Sequence, residues 1–273
     1  MRVALCNEVV RELPFERQCA LAAALGYDGL EVAPFTLDAE APQLLPAARR
    51  AELRRIAAEA GAPIVSLHWL LVAPAGLSIC AEDPALLART REVVERLVGL
   101  AADLGAGLMV HGSPAQRPVA TADDARRAEE TMALAGEWAR AAGVTYLLEP
   151  LDAGQTTWAR TVEEAAAIVR RAASPGLATM IDASAAGNGE TETVPELIDR
   201  WLPTGLVRHI HLNDRNRRGP GQGGDRFAPV IAALRRHGYE GWCAVEPFDY
   251  APDGPAAAAR AIGYLRGLEE ALS

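Results

Sequence analysis

Long apolar runs are missing from this 273-residue chain. Each is broken within about ten residues by Gly, Pro or charge, well short of the roughly 20 residues that a membrane-spanning helix needs. Met1–Asn7 enters a strand-like run at once, without the apolar segment and cleavage site of a signal peptide, so a cytoplasmic protein is expected. Cysteine is sparse. Cys6, Cys19, Cys80 and Cys243 are widely spaced with no Cys-x-x-Cys pair, which argues against both a disulfide framework and a structural zinc motif. Positive charge is in deficit, with a formal net charge of −9, so a polyanion should be repelled and no nucleic-acid partner is expected. No Gly-x-Gly-x-x-Gly follows the first apolar run, which leaves a dinucleotide-binding fold poorly supported. A neutral sugar or other small polyol remains compatible as ligand, and homo-oligomerisation is left open.

What is present is a rhythm. Half of the residues are hydrophobic, enough to bury the core of one large domain over residues 1–273. Short runs rich in Val, Ile, Leu and Ala alternate with longer amphipathic Ala/Arg/Glu segments, the pattern of βα units and a parallel sheet. The strand candidates are Val3–Asn7, Gly29–Ala33, Ile64–His68, Leu108–His111, Thr145–Glu149, Ala178–Asp182, His209–Asn213 and Cys243–Glu246. Gly26, Gly61, Gly105, Gly143 and Gly238 stand after helical patterns, where a left-handed cap is expected. Thr161 with Glu164 reads as a capping box, and Asp83-Pro84 as an N-cap with proline in the first turn. Eight such units favour a closed (β/α)8 TIM barrel over an open doubly wound sheet. The late Gly219–Gly224 stretch then reads as a barrel-mouth loop.

Four ligand-competent residues, Glu149, Asp182, His211 and Glu246, close the fifth to eighth strand candidates in succession. One carboxylate at a strand end is more often a helix cap or a solvated residue. Four on adjacent strands are poorly explained by coincidence, because the C-terminal ends of barrel strands converge on one mouth. Three oxygen donors and one imidazole suit a hard or borderline divalent cation.

The Leu-Glu-Pro at 148–150, the Ile-Asp at 181–182, the segment His211–Arg217 and the Val-Glu-Pro-Phe at 245–248 also carry a family resemblance over nearly the whole chain. It resembles the sugar isomerases/epimerases of the xylose-isomerase-like barrel superfamily, nearest the ketose 3-epimerase and hydroxypyruvate-isomerase-like branch. The resemblance implies one divalent metal on Glu149, Asp182, His211 and Glu246, with Mn²⁺ expected and Mg²⁺, Co²⁺ or Zn²⁺ as alternatives. It further implies an acid/base pair, Glu149 and Glu246, acting on two faces of a carbon next to a carbonyl, through an enediolate. Arg217, six residues after His211, is implied as a contact to substrate oxygen. His68 and His111, which close the third and fourth runs, are lesser candidates for hydrogen bonding at the mouth. Gln155 and Trp158 complete the substrate-binding candidates, and Trp69, Asn7 and Glu31 are further candidates for the lining of the mouth.

Two positions depart from that family. Ala185 stands where a histidine is usual, and Gln155 where a second glutamate is usual. The metal and the carboxylate pair therefore fit better than the substrate contacts. A dehydratase of the inosose type and a non-catalytic accessory barrel stand as alternatives to an isomerase or epimerase. A multinuclear zinc endonuclease fits poorly, since the chain has five histidines and an acidic balance.

Overall fold

The computed structural model describes all 273 residues. Eight parallel strands close into a barrel in sequence order, β1 (Arg2–Cys6), β2 (Gly29–Val32), β3 (Ile64–Leu67), β4 (Leu108–His111), β5 (Thr145–Leu148), β6 (Leu177–Asp182), β7 (Val207–Leu212) and β8 (Trp242–Val245). Closure is made by β8 on β1, with Arg2 to Leu5 in register with Trp242 to Val245. The eight expected strands are all present, with ends shifted by a residue or two. Glu149 and Glu246 consequently stand one residue beyond their strands, just before Pro150 and Pro247, which lack the N–H a ladder needs.

Around the barrel lie α1 (Phe15–Leu25), α2 (Ala47–Glu59), α3 (Pro84–Leu104), α4 (Ala122–Ala141), α5 (Val162–Ala172), α6 (Ala183–Gly189), α7 (Val194–Trp201), α8 (Ala228–Arg236) and α9 (Gly254–Ala271). Asp83 caps α3 by accepting from the Ala85 N–H at 3.0 Å, with Pro84 in the first turn as the sequence predicts. Gly105 ends the same helix at φ +82°, a left-handed conformation that a Cβ disfavours. The expected capping box of α5 is half made. Thr161 accepts from the Glu164 N–H, but the Glu164 carboxylate accepts from the N–H of Arg160, one residue too early. A full box is made at α4, between Thr121 and Asp124.

The main core fills the space between strands and helices. A small separate cluster of Val110, Leu147, Ala178 and Met180 occupies part of the barrel interior, beneath the mouth that Val110 helps to line. Much of the remaining interior toward the mouth is polar. Cys6 pairs in register with Glu31, and Glu31 with Ser66; across the barrel Asp182 pairs with His211. Side chains alternate between the two faces of a strand, so these rows set which polar groups meet inside.

Candidate active site

His211 is the hub of the mouth. Its Nδ1 lies 2.8 Å from Glu246 Oε2, 3.3 Å from Glu149 Oε1 and 3.7 Å from Asp182 Oδ2. One donor atom from each of these four buried residues falls within 4.8 Å of every other. The opposite nitrogen, Nε2, is 2.7 Å from Glu31 Oε1. A carboxylate on Nε2 favours the proton there, which frees the Nδ1 lone pair toward the other three donors, as in carboxylate–histidine–metal arrangements. The four residues thus fit a divalent cation: three carboxylates crowd one imidazole lone pair at spacings typical of atoms sharing an ion.

Each neighbour of this set has its own support. Asp182 ends β6 and also caps α6, accepting from the Ala185 N–H at 2.6 Å, and its second oxygen accepts from Asn213 Nδ2 at 2.9 Å. The same Asn213 amide donates to the Glu246 carbonyl and accepts from the Ser184 N–H, tying β6, β7 and β8 together at one level. Glu246 Oε1 accepts from the Trp69 indole N–H at 3.0 Å and lies 3.0 Å from His68 Nδ1. Glu149 Oε2 occupies the space over Gly112, where a Cβ would sit 1.7 Å away. Each glutamate therefore turns one oxygen to His211 and the other to a different neighbour, Gly112 for Glu149 and Trp69 with His68 for Glu246.

Burial and crowding set the charges of the cation-free site. Burial raises the Asp182 carboxyl from its ordinary value, and the nearby Glu149 adds to the effect, to about 7. Burial pushes Glu246 the same way, but the His211 and His68 imidazoles together outweigh it and hold that carboxyl at about 2. Burial depresses both imidazoles, yet the surrounding carboxylates win and raise His211 and His68 well above the ordinary histidine value. Glu31 is likewise opposed by burial and ends well below the ordinary range because His211 and His209 face it.

Above the donor set opens a cavity of about 320 Å³ lined by His68, Trp69, Glu149, Asp182, Glu246, Gln155, Arg217 and Phe248 among others. This is the lower end of the size range of small-molecule sites. Trp69 and Phe248 form a wall, ring centroids 6.1 Å apart, and the Arg217 guanidinium lies 4.8 Å from the centre of the Phe248 ring. Arg217 reaches there from a left-handed backbone at φ +67°, its carbonyl accepting from the N–H groups of Phe248 and Asp249. For a non-glycine residue that conformation costs energy, here offset by the two hydrogen bonds. Gln155 stands at the rim, donating to Asp152 at 2.6 Å.

Two expected substrate contacts lie elsewhere. His111 is not among the cavity residues; its neighbour Val110 is, and alternation turns His111 to the opposite face, where Nδ1 is 2.8 Å from the Tyr146 hydroxyl. Trp158 packs into the main core instead of walling the mouth. Three polar residues that the sequence motifs do not mark also support the site. Arg117 is buried and donates to the Glu149 carbonyl at 2.8 Å, Glu8 lies 2.9 Å from His68, and Asn213 donates to Asp182 and to the Glu246 carbonyl. Asn213 was recoverable, since it shares the facing of His211 two residues earlier. Glu8 lies in a single 3-10 turn and Arg117 directly follows another, both too short for any periodicity to point to the site.

The sequence profile described as a xylose isomerase-like TIM barrel matches residues 19–268. The chain belongs to that family. Within it, an L-ribulose 3-epimerase from Mesorhizobium japonicum is 27% identical over 179 residues, which is 64% of this chain and 59% of the relative. A ketose 3-epimerase from Arthrobacter globiformis is 25% identical over 194 residues, 70% of this chain and 66% of the relative. Both alignments span less than two thirds of the relative's length. A crystal structure of a D-psicose 3-epimerase in the presence of D-fructose superposes with a TM-score of 0.82 at 21% identity, covering 98% of this chain and 99% of the other. That likeness bears on the fold.

Proposed function

We propose that the protein is a divalent-metal-dependent epimerase or isomerase of a ketose or related sugar, moving a proton at a carbon next to a carbonyl. The observation that carries this reading is the pair of glutamates about one imidazole: Glu149 and Glu246 each turn one oxygen to His211 Nδ1, while the other faces Gly112 in Glu149 and Trp69 in Glu246. Two such carboxylates can hold an ion and still take or return a proton. The names of the epimerase relatives support the substrate class. The chain has no lysine, so no side-chain amine is available to activate a carbonyl as a Schiff base. Glu149, Asp182, His211 and Glu246 would hold the cation, Mn²⁺ being the expected ion, and it would supply Lewis acidity toward a carbonyl oxygen.

The chain's own residues do the rest. Trp69 and His68 hold Glu246 Oε1, so its carboxylate keeps one orientation through turnover. The Trp69 and Phe248 rings exclude water from one side of the cavity and offer apolar faces to the C–H side of a sugar. Arg217 brings positive charge to substrate oxygens, while Ser184, Asn188 and Gln155 provide neutral partners for hydroxyls. Ala185 offers no such group, and the lining has one arginine, which favours a neutral sugar over a phosphorylated one.

The test is solvent exchange. Mn²⁺-loaded protein in deuterated water should incorporate deuterium next to the carbonyl of a converted ketose, read by NMR with the products. Glu149→Gln and Glu246→Gln should each slow exchange by roughly 10²–10⁴-fold. Equal exchange by wild type and Glu246→Gln sinks the two-carboxylate reading.

A further inference from the structure

On the other side of the barrel mouth, Cys6 ends β1, Glu8 follows it in a short 3-10 turn, and His68 follows β3. All three are buried, at 0%, 7% and 1% exposure. Both Glu8 carboxylate oxygens and His68 Nε2 lack any hydrogen-bond partner. His68 Nε2 and Glu8 Oε2 nevertheless approach to 2.9 Å, out of line for an N–H donor. The other ring nitrogen, Nδ1, lies 3.0 Å from Glu246 Oε1 in hydrogen-bonding geometry, which leaves Nε2 as the ligand-competent nitrogen on the Glu8 side. Atoms bound at about 2.0–2.3 Å to one ion stand roughly 3 Å from each other.

We infer that Cys6 Sγ, Glu8 and His68 Nε2 form a second cation site, for a zinc-class ion, beside the site on Glu149, Asp182, His211 and Glu246. Ligand atoms of Cys6, Glu8, His68 and Glu246 all fall within 4.8 Å of one another. The mixed sulfur, nitrogen and oxygen set selects zinc or cobalt over magnesium or calcium. Glu246 joins the two sites: one oxygen belongs to the first donor set and the other receives the His68 N–H. An ion on His68 Nε2 keeps the ring neutral and its Nδ1 proton on Glu246. The inference does not rest on the proposed sugar chemistry.

Cobalt titration of chelator-treated protein tests it. Wild type should bind two equivalents of Co²⁺, one with the near-ultraviolet absorption of a cobalt thiolate, displaced by Zn²⁺. Cys6→Ser should abolish that absorption, and Glu8→Gln should weaken the second equivalent by tenfold or more, both retaining the first. Asp182→Asn should lose the first equivalent and keep the absorption. X-ray absorption at the zinc edge of wild-type protein loaded with two equivalents should show sulfur scattering, a readout that needs no variant. One equivalent per chain, no thiolate absorption, or zinc without a sulfur neighbour overturns the inference and leaves a proton on His68 Nε2 as the charge facing Glu8. Failure of ketose exchange in protein that shows the band would count against the sugar reading alone.

Discussion

At the residue scale, His111 and His211 show how one position along a strand decides between chemistry and structure. His111 closes β4 and His211 is the last residue but one of β7, yet β4 is apolar on both faces, so its sequence carries no alternation from which the facing of His111 can be read. His211 is betrayed by company, because Asp182 ends one neighbouring strand and Glu246 follows directly on the other. His111 instead becomes a stability element. Burial and the Arg117 guanidinium hold its imidazole down at about 3, against an ordinary histidine value of 6.5. Between those pH values the unfolded chain takes up a proton that the folded site refuses. The stabilising difference is therefore complete above pH 6.5 and is lost as pH falls toward 3. His111→Phe should flatten the fall in Tm across that window. Loss of the Tyr146 partner lowers stability at every pH alike, so the slope is the readout, and parallel slopes for the two proteins would refute the assignment.

At the element scale, the strand–helix–glycine rhythm was readable because each signal is local: an apolar run, an amphipathic period, a residue that tolerates positive φ. The eight strands follow from those signals. What is not local was missed, such as Arg117 reaching the carbonyl of Glu149 and the Glu164 carboxylate choosing Arg160. The caps also expose an uneven solution. Gly26 ends α1 at φ +92°, whereas α5 ends on Ala173 at φ +51°. A Cβ in the left-handed region costs roughly 1 kcal/mol. Ala173→Gly should therefore stabilise the fold by about 0.5–1 kcal/mol, a rise of roughly 1–4 °C in Tm for a chain of this size. Gly26→Ala should have the opposite sign, since no atom within 4 Å of the added methyl group adds a contact or a clash. A fall in Tm for Ala173→Gly would show that its cap is unstrained.

At the scale of the whole molecule, the barrel is an apolar shell around an acidic well, and the cost of that well shows in its response to pH. The Asp182 carboxyl, raised to about 7 by burial and by Glu149, prefers its proton in the folded, cation-free protein. A raised folded value contributes stability that is present below the ordinary carboxyl range and lost as pH climbs through 7. His211 and His68, also raised, act in the same direction. Above pH 6.5, where the His111 contribution is complete, cation-free protein should accordingly lose stability as pH rises toward 8. A divalent cation reverses the preference, since it binds the ionised carboxylates and the free imidazole lone pair. At a concentration of Mn²⁺ one hundred times its Kd, binding adds about 2.7 kcal/mol, roughly 5–10 °C in Tm. The gap in Tm between Mn²⁺-loaded and chelator-treated protein should thus widen from pH 5 to pH 8, as read by scanning calorimetry. Asp182→Asn removes one ligand and one buried charge together. It should raise the stability of the cation-free protein at pH 8 while abolishing most of the gain from Mn²⁺. An equal Mn²⁺ gain in wild type and variant would place the ion away from Asp182.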